Sequence, residues 1–437
     1  MSLEPDVRDR ILAAVDRDEA LALLRQAVAV PSVTGEEEAF ARFAAERLAE
    51  AGADQVCVEE FAEGRPNAWG VVRGAGGGPG LMFVGHLDTV HVRGWEEHWR
   101  GDVREDPFSG AVVDGRVWGR GVGDLKAGIC TVIAALQTLR RVGLAPRGDV
   151  CAVFVGDEES GEPGSGISAG IKDIVPRIES GQIPRPDFAV YVEPTQLHVY
   201  TAQMGFLIAE ITLEGRSAYF GAPELGVDAV RAAHEVLSGL WAYTDELERR
   251  PSHPLVGRPF LLVTGITGGG YIAVPGKCRI DLIRKLLPGE SLDRAKAELD
   301  RVVAAAVTDQ RVHATVAYTA PRDHAVGGTP NETDPETIGV VRLREAIRTM
   351  RPDRGEVQGA PYWSENPFLS TRLGVPAVYC APGDIRNCHT FDEHVPVDEY
   401  LDAVGVFATF IADFCGVRDA DAPHPPPHHG ARHHEIT

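Results

Sequence analysis

The sequence has little basic charge, no closely spaced cysteine pair and few aromatic residues. Lys and Arg number 43 against 64 Asp and Glu, a formal net charge of −21, which argues against a nucleic acid or an anionic membrane surface as the partner. The seven cysteines are scattered without any CxxC spacing, mostly inside apolar runs. This distribution indicates reduced, packed thiols rather than a disulfide framework.

Long apolar runs are also missing. No run approaches membrane-spanning length, and the first twenty residues are charged throughout with no apolar segment, so we expect a cytoplasmic protein. The composition, 44% hydrophobic and 24% charged, is ordinary for a soluble globular enzyme. A chain of 437 residues is too long for one ordinary core, which predicts two domains.

Two strand-like runs end in candidate metal ligands. The apolar run 81–84 is followed by His86, at the position where an α/β sheet presents its ligands. Asp88 lies on the same side of an extended segment, so we expect its carboxylate to hold the imidazole. Asp124 lies at the end of a glycine-rich turn, just before residues 127–139, whose apolar pattern predicts a helix. A lone His or a glycine-rich turn is weak evidence alone, but the two signals occur together.

Acids follow the next two strand-like runs. The apolar run 151–155 ends just before the acidic residues 157–159, and the apolar run 188–192 ends just before Glu193. Adjacent carboxylates repel one another unless a cation compensates, although a solvated acidic loop is the alternative interpretation. A late histidine, His389, is a fifth candidate ligand. Mixed imidazole and carboxylate ligands suit a borderline divalent ion and leave a position open for water.

Five motifs resemble those of a known family. GHLDTV, GRGVGDLKAG, DEES, EPT and a C-terminal APG before a His-bearing stretch occur in the family's order between about residues 25 and 410. They are similar to the family of acetylornithine deacetylase, succinyl-diaminopimelate desuccinylase, glutamate carboxypeptidase and the aminoacylases. The resemblance implies a metal-dependent hydrolase with one or two manganese, zinc or cobalt ions per subunit. It assigns His86 and Glu193 to one metal, Glu159 and His389 to the other, Asp124 to the bridge, Glu158 to the general base and Asp88 to the support of His86.

The chemistry explains this choice of residues. A bound ion of this kind lowers the pKa of its water from about 15.7 toward 7, so that metal-bound water can cleave a C–N bond. A neighbouring carboxylate takes the proton and returns it to the departing nitrogen. Because Glu158 and Glu159 are consecutive, they point differently, and one can bind metal while the other stays free.

The pattern of elements predicts the domain organisation. Helices and strands alternate as far as Glu193, which indicates an α/β metallopeptidase-like catalytic domain with a mainly parallel sheet. Residues 204–319 read β-α-β-β-α-β, which is typical of a ferredoxin-like α+β domain. The resemblance identifies this insertion, here called the lid, as a cover and a dimerisation domain, which implies a homodimer or higher homo-oligomer. The catalytic domain is then residues 1–203 and 320–418, with a disordered His- and Pro-rich tail at 419–437.

The lid departs from the family pattern at three positions. Tyr219 stands where the family has a His that donates to the oxygen of the tetrahedral intermediate; a phenol donates one hydrogen bond but carries no positive charge near neutral pH. Ile272 matches a substrate-binding Asn. The spacing to the following proline is one residue too long, which leaves either Arg284 or Lys285 as the carboxylate anchor.

These departures favour an unusual substrate. A flat, apolar pocket for an amino-substituted aromatic acid is predicted from four lid residues, Tyr219, Phe220, Tyr271 and Ile272. Arg216, Arg284 or Lys285 would bind its carboxylate. We therefore expect an aminohydrolase that releases ammonia, as one family relative does in converting 5-nitroanthranilate to 5-nitrosalicylate.

Two other activities stay open. The chain could be a conventional N-acyl amino acid deacylase or dipeptidase in which Tyr219 replaces the family's His. A third hypothesis is a non-catalytic protein that binds a metal or another ligand. The presence of Glu158 argues against the third hypothesis, because a protein without catalysis has no need of a base.

Overall fold

The computed structural model describes residues 3–159 and 165–420. Its helices are α1 Pro5–Ala13, α2 Arg17–Val28, α3 Glu38–Glu50, α4 Trp95–His98, α5 Ala127–Arg141, α6 Ala169–Glu179, α7 Ala229–Glu248, α8 Leu292–Ala306, α9 Ile338–Met350 and α10 Val397–Cys415. Its strands are β1 Gln55–Ala62, β2 Arg65–Val72, β3 Leu81–His86, β4 Ala111–Val113, β5 Arg116–Trp118, β6 Leu144–Pro146, β7 Val150–Val155, β8 Phe188–Tyr191, β9 Val199–Gln203, β10 Gly205–Glu214, β11 Ala218–Tyr219, β12 Phe260–Gly268, β13 Ala273–Val274, β14 Lys277–Leu286, β15 His313–Tyr318, β16 Gly327–Gly328, β17 Asn331–Glu332, β18 Val357–Ala360, β19 Ala377–Tyr379, β20 His394–Pro396 and β21 Val417–Asp419.

A nine-stranded sheet forms the centre of the catalytic domain. Its order is β1-β2-β7-β3-β8-β19-β9-β17, and β18 also pairs with β9. The four central strands, β7, β3, β8 and β19, are parallel, whereas the outer pairs are antiparallel except for β18 with β9. The α/β class is therefore confirmed, but the sheet is mixed rather than mainly parallel. The central strands are buried over their whole length, as expected for strands covered on both faces.

The lid has its own sheet and its own hydrophobic core. The sheet order β12-β14-β10-β15 is antiparallel, and with α7 and α8 it follows the expected β-α-β-β-α-β order. Along β10, every second residue is buried and the residues between them are half-buried or, at Glu214, exposed, because successive side chains of a strand point to opposite faces. The buried face packs on α7 and α8 through residues such as Leu207 and Ile280. The other face is turned away from these helices.

Two expectations about the ends and the apolar runs were wrong. Asp419 belongs to β21, which pairs with β6, so the ordered chain continues past the start of the predicted tail; residues 421–437 lie outside the described part. The helical stretch Val122–Arg141 does meet the length and hydropathy of a membrane span, but 94% of that window is buried inside the protein. Its apolar character is explained by packing in the core, where α5 contacts α2 and α10.

Candidate metal centre and active site

The centre of the site is Asp124, whose carboxylate lies between two histidines. His86 Nε2 is 2.9 Å from Asp124 Oδ1, and His389 Nε2 is 3.1 Å from Asp124 Oδ2. On one side Glu193 Oε1 is 3.8 Å from His86 Nε2. On the other, Glu159 Oε1 is 2.9 Å from His389 Nε2. The structure thus brings together five predicted ligands as two sets that share one carboxylate.

Strand order explains why these distant residues meet. The parallel strands β7 and β8 flank β3, so their carboxyl ends lie side by side and deliver Glu159, His86 and Glu193 to one edge of the sheet. Asp124 arrives from the turn before α5. His389 adopts a left-handed backbone conformation, with φ of 62°, which is uncommon for a residue with a side chain. This conformation belongs to the turn that carries its ring to the centre.

Asp88 supports the site differently from the prediction. His86 Nδ1 lies 2.8 Å from the backbone carbonyl of Asp88, and 4.0 Å from its carboxylate. The Asp88 carboxylate instead accepts the backbone N–H groups of Glu158 and Glu159, at 3.2 and 2.9 Å, and the hydroxyl of Thr34. Asp88 therefore holds the loop that carries the candidate base and one candidate ligand, and its main chain orients His86.

The first acid of the run 157–159 lies apart from the centre. Asp157 forms an ion pair with Arg65 at 2.9 Å and accepts backbone N–H groups from Gly166, Ile167 and Ala169. It anchors the chain that returns from the acidic loop. The repulsion expected among three adjacent carboxylates is thus reduced, because one of them faces a guanidinium.

Electrostatics favour a cation at the centre. Burial, together with the Asp124 carboxylate, raises the pKa of Glu159 to about 8 against the opposing effects of His389 and His86. Burial, reinforced by Asp124, also raises the pKa of Glu193 well above its usual range. Burial acts to raise the pKa of Asp124, but the hydrogen bonds and the charges of His389 and His86 hold it below its usual range. The donor set, two imidazoles and several buried carboxylates, fits a divalent zinc, manganese or cobalt centre, and His86, Asp124 and Glu159 offer ligand atoms within 4.8 Å of one another.

Two residues, Phe391 and Glu393, hold the segment 389–394, which carries His389. Glu393 Oε1 accepts the backbone N–H groups of Gly123 and Asp124, at 3.1 and 3.2 Å, while Arg120 neutralises the other oxygen. Trp99 Nε1 donates to the carbonyl of Phe391 at 2.8 Å. The segment is thereby tied both to the turn of Asp124 and to the aromatic segment 95–104. These aromatics pack on the ligand segment and do not line the cavity described next.

A cavity of about 340 Å³ opens beside the ligands. It is lined by Asp124, Glu158, Glu159, Glu193, Phe206, Ile208, Ile283, Lys285, Arg322, Tyr362, Trp363, Ser364, Ile385 and His389. One wall is the outer face of the lid sheet, where Phe206 pairs with Lys285 and Ile208 pairs with Ile283 across β10 and β14. Glu158 lies in the cavity without being one of the five clustered ligands. A substrate would therefore be held between the metal ligands and the lid.

Of the predicted substrate-binding residues, Lys285 alone lines this cavity. Arg284 is fully buried in the lid and pairs with Glu290 at 2.8 Å. Tyr219 and Ile272 are 66% and 56% exposed. Tyr219 lies in the two-stranded sheet of β11 and β13, and Ile272 lies just before β13. Arg216 is exposed as well. Within a single chain, Arg284 therefore faces the lid core, and Arg216, Tyr219 and Ile272 face the solvent rather than this cavity. Their roles in binding the substrate stay predictions.

Several cavity residues were missed by sequence reasoning. Phe206 and Ile208 alternate with buried residues along β10, so the period of two could have identified them as one face. Ser364 donates to Glu193 Oε1 at 3.0 Å. Arg322, between β15 and β16, carries no local signal, because its place in the cavity depends on how the lid joins the catalytic domain.

A sheet edge at which two imidazoles and several carboxylates meet beside a lid defines a metal-dependent hydrolase. The model of peptidase family M20/M25/M40 matches residues 82–413, and the chain belongs to this family. An acetylornithine deacetylase of Myxococcus xanthus is 28% identical over 386 residues, covering 86% of this chain and 90% of that protein. An N-formyl-4-amino-5-aminomethyl-2-methylpyrimidine deformylase of Bacillus subtilis is 24% identical, covering 80% of this chain and 84% of that protein.

Solved structures agree in fold. Aminopeptidase PepT of Bacillus cereus superposes with a TM-score of 0.72 at 17% identity, covering 92% of this chain and 99% of that chain. The Bacillus subtilis protein YXEP, described as a dinuclear metal-binding peptidase of the M20 family, superposes with a TM-score of 0.63 at 14% identity, covering 90% and 97%. These likenesses support the family architecture of a catalytic domain with an inserted lid.

Proposed function

We propose that the protein is a deacylase or dipeptidase that hydrolyses the amide bond of a small N-acyl amino acid or dipeptide with a free carboxylate. The observation that carries this proposal is that one cavity is lined by Glu158, by members of the ligand cluster and by the lid residue Lys285. The two relatives support this proposal, because one is named for removing an acetyl group from acetylornithine and the other for removing a formyl group from an aminopyrimidine. One or two zinc, manganese or cobalt ions would occupy the centre.

Each residue then has a chemical role. The bound ions supply polarisation of the carbonyl and acidification of a water molecule. Glu158, whose pKa is raised by burial, takes the proton that water loses as its oxygen bonds to the carbonyl carbon. It returns that proton to nitrogen as the C–N bond breaks, so the products are an acid and an amine. Lys285 binds the substrate carboxylate and fixes the amide at the ligands.

An amino-aromatic acid is the second candidate substrate, with ammonia as the product. The four residues that suggested it, Tyr219, Phe220, Tyr271 and Ile272, are all exposed. Three other aromatic residues, Phe206, Tyr362 and Trp363, line the cavity. They could pack against an aromatic ring of the substrate. A relative such as the pyrimidine deformylase combines a ring-bearing substrate with amide cleavage in its name, so an aromatic substrate does not by itself require ammonia release.

The test is product analysis with manganese- or zinc-loaded protein on N-acetyl and N-formyl amino acids, dipeptides and aminobenzoic acids. We expect release of amine and acid from amides, with no ammonia. Ammonia from an aminobenzoic acid without amide cleavage would establish the second candidate instead. Glu158→Gln is the matched control: it should retain bound metal and lose at least about a hundredfold in turnover, and unchanged turnover would remove Glu158 from its role as base.

We further propose that the lid forms a homodimer. Ten of the fourteen large apolar side chains that are exposed in the described residues belong to the lid, among them Trp241, Leu262 and Ile266. Strand β12 is an edge of the lid sheet, so its free backbone groups can pair with a second copy. Tyr219 lies outside the cavity of its own chain, and a dimer would offer it to the cavity of the second copy.

Sedimentation equilibrium tests the dimer. We expect a dimer at micromolar concentration, and a monomer for Leu262→Glu combined with Ile266→Glu, because burying two carboxylates in an apolar interface is costly. A double substitution on the exposed face of helix α9, Glu345→Lys with Thr349→Lys, is the control and should leave the dimer intact. A monomeric unsubstituted protein would contradict the proposal.

A further inference from the structure

Glu193 is held at the candidate metal centre by a hydroxyl from a distant part of the chain. Ser364 Oγ donates to Glu193 Oε1 at 3.0 Å, and the same oxygen lies 3.8 Å from His86 Nε2. Ser364 and Glu193 are both buried, so the bond is shielded from bulk water. A hydrogen bond to one oxygen limits the rotation of the carboxylate, and groups that orient metal ligands in this way strongly affect metal affinity.

Ser364 is itself fixed through its backbone. It lies outside every helix and strand, so neither kind of element pairs its peptide groups. Its N–H donates to Gln203 Oε1 at 3.1 Å, and its carbonyl accepts a hydrogen bond from Gln203 Nε2, also at 3.1 Å. Tyr379 Oη donates to the same oxygen of Gln203. One buried side-chain amide therefore holds the residue that orients Glu193.

Gln203 lies at the join between the two domains. It is the last residue of β9, and β10 of the lid begins two residues later at Gly205. The connection that returns from the lid is adjacent, because Asn331 of β17 pairs with Gln203. The amide that holds Ser364 thus lies where the chain leaves the catalytic domain and where it comes back.

Trp363, the neighbour of Ser364, contacts the same join. Its Nε1 donates to the carbonyl of Thr329 on the return connection at 2.9 Å. Its ring meets that of Phe206, at the start of β10, edge-on with centres 5.3 Å apart. Because Trp363 and Ser364 are consecutive, one short loop contacts both connections and a metal ligand. The position of Glu193 therefore depends on how the two domains are joined.

We propose that Ser364 is a positioning residue that orients Glu193 for its metal ion, and that Gln203 acts on this ion through Ser364. One ligand of the centre is then set by the join between the domains as well as by the end of a strand. The inference rests on the metal centre of the proposed function. It goes beyond that function because it concerns metal binding, and it holds whichever C–N bond is cleaved.

The test measures metal affinity by calorimetry and the absorption spectrum of the cobalt-loaded protein. Ser364→Ala should lower the affinity for one ion by about 10- to 100-fold. It should also shift the cobalt absorption bands, because a reoriented carboxylate changes the field around the ion. Ser364→Thr keeps the hydroxyl and should recover most of both properties. Unchanged affinity and an unchanged spectrum in Ser364→Ala would overturn the role of Ser364.

A double substitution tests whether Gln203 acts through Ser364. Gln203→Met keeps the length of the side chain and removes its hydrogen bonds, so alone it should also weaken metal binding. Combined with Ser364→Ala it should add little further loss, since the effects of residues that act through one contact are not additive. Additive losses of affinity would overturn the role assigned to Gln203.

Thr409→Val is the matched control for the loss of a buried hydroxyl. Thr409 Oγ1 donates to the carbonyl of Gly405 at 2.8 Å within α10, so the substitution should lower the melting temperature and leave the metal affinity and the cobalt spectrum unchanged. If the unsubstituted protein binds metal but cleaves no amide, the proposed activity alone fails, and the binding data still decide the role of Ser364. If it binds no divalent ion, the metal centre and this inference fail together.

Discussion

Arg284 and Lys285 are neighbours in β14 with opposite environments. Because successive side chains of a strand point to opposite faces, Arg284 enters the lid core, where it pairs with Glu290, and Lys285 enters the cavity. The spacing to the following proline left both residues open as the carboxylate anchor. The structure distinguishes Arg284 from Lys285, because Lys285 pairs across the sheet with Phe206, which also lines the cavity.

The pH dependence of binding should report Lys285. Burial lowers its pKa to about 8, so the ammonium is charged below that pH and becomes neutral above it. Since a neutral amine cannot hold a carboxylate by charge, kcat/KM should fall as pH rises through about 8. Lys285→Arg should remove this alkaline limb, because a guanidinium stays protonated over the whole range. An unchanged limb in Lys285→Arg would assign the titration to another group.

At the scale of elements, the segment 389–394 is the part of the site that depends most on its surroundings. It belongs to no helix and only its last residue enters a strand, β20. Phe391 stacks on His98 with ring centres 4.9 Å apart, and His394 packs on Trp118 at 4.5 Å. Together with the contacts of Trp99 and Glu393, these contacts hold His389 in position, whereas His86 is held by its place at the end of a strand.

Trp99→Phe should weaken metal binding. The substitution keeps an aromatic ring and removes the N–H donor to Phe391, so the segment that carries His389 loses one of its ties. Changes in the support of metal ligands typically cost 10- to 100-fold in affinity, and we expect about tenfold for the more weakly held ion by calorimetry.

Trp95→Phe is the matched control. Trp95 Nε1 makes a bond of equal length, 2.8 Å, but donates to Arg104 within the same aromatic segment. The Trp95→Phe substitution should lower the melting temperature without the loss of metal affinity expected for Trp99→Phe. An equal loss of metal affinity in both variants would mean that the aromatic segment affects metal binding only through the stability of the fold.

At the scale of the molecule, the formal charge of −21 is accompanied by a cluster of acidic residues at the active site. Glu158, Glu159 and Glu193 are held near Asp124 with pKa values raised by burial. A cation bound there offsets their mutual repulsion. Folding and metal binding are therefore coupled, since the ligand cluster exists only when the two ends of the catalytic domain have joined.

Metal removal should lower the melting temperature. Binding to the native state alone stabilises it by about 2.7 kcal/mol when the free ion is at 100 times its Kd. Differential scanning calorimetry of chelator-treated protein, before and after addition of zinc or manganese, measures this difference, with sodium chloride of equal ionic strength as the control. A melting temperature independent of the ion would contradict a metal centre in the folded state.

The expected ligands were accessible from sequence because most of them follow buried strands. A run of apolar residues marks the strand, its end marks the edge of the sheet, and parallel neighbours share that edge. His389 had no such marker, and its assignment came from resemblance. The role of Asp88 was predicted through its carboxylate, whereas its backbone carbonyl contacts His86, a distinction that depends on local dihedral angles.

Local pattern in the sequence determined the α/β class, the β-α-β-β-α-β order of the lid and the residues that the strand ends present, since these follow from hydrophobic period and chain order. Tertiary structure decided which lid residues face the ligands. Arg322 and Phe206 enter the cavity while Tyr219 and Ile272 remain exposed, because the position of the lid over the sheet depends on contacts between residues far apart in the chain.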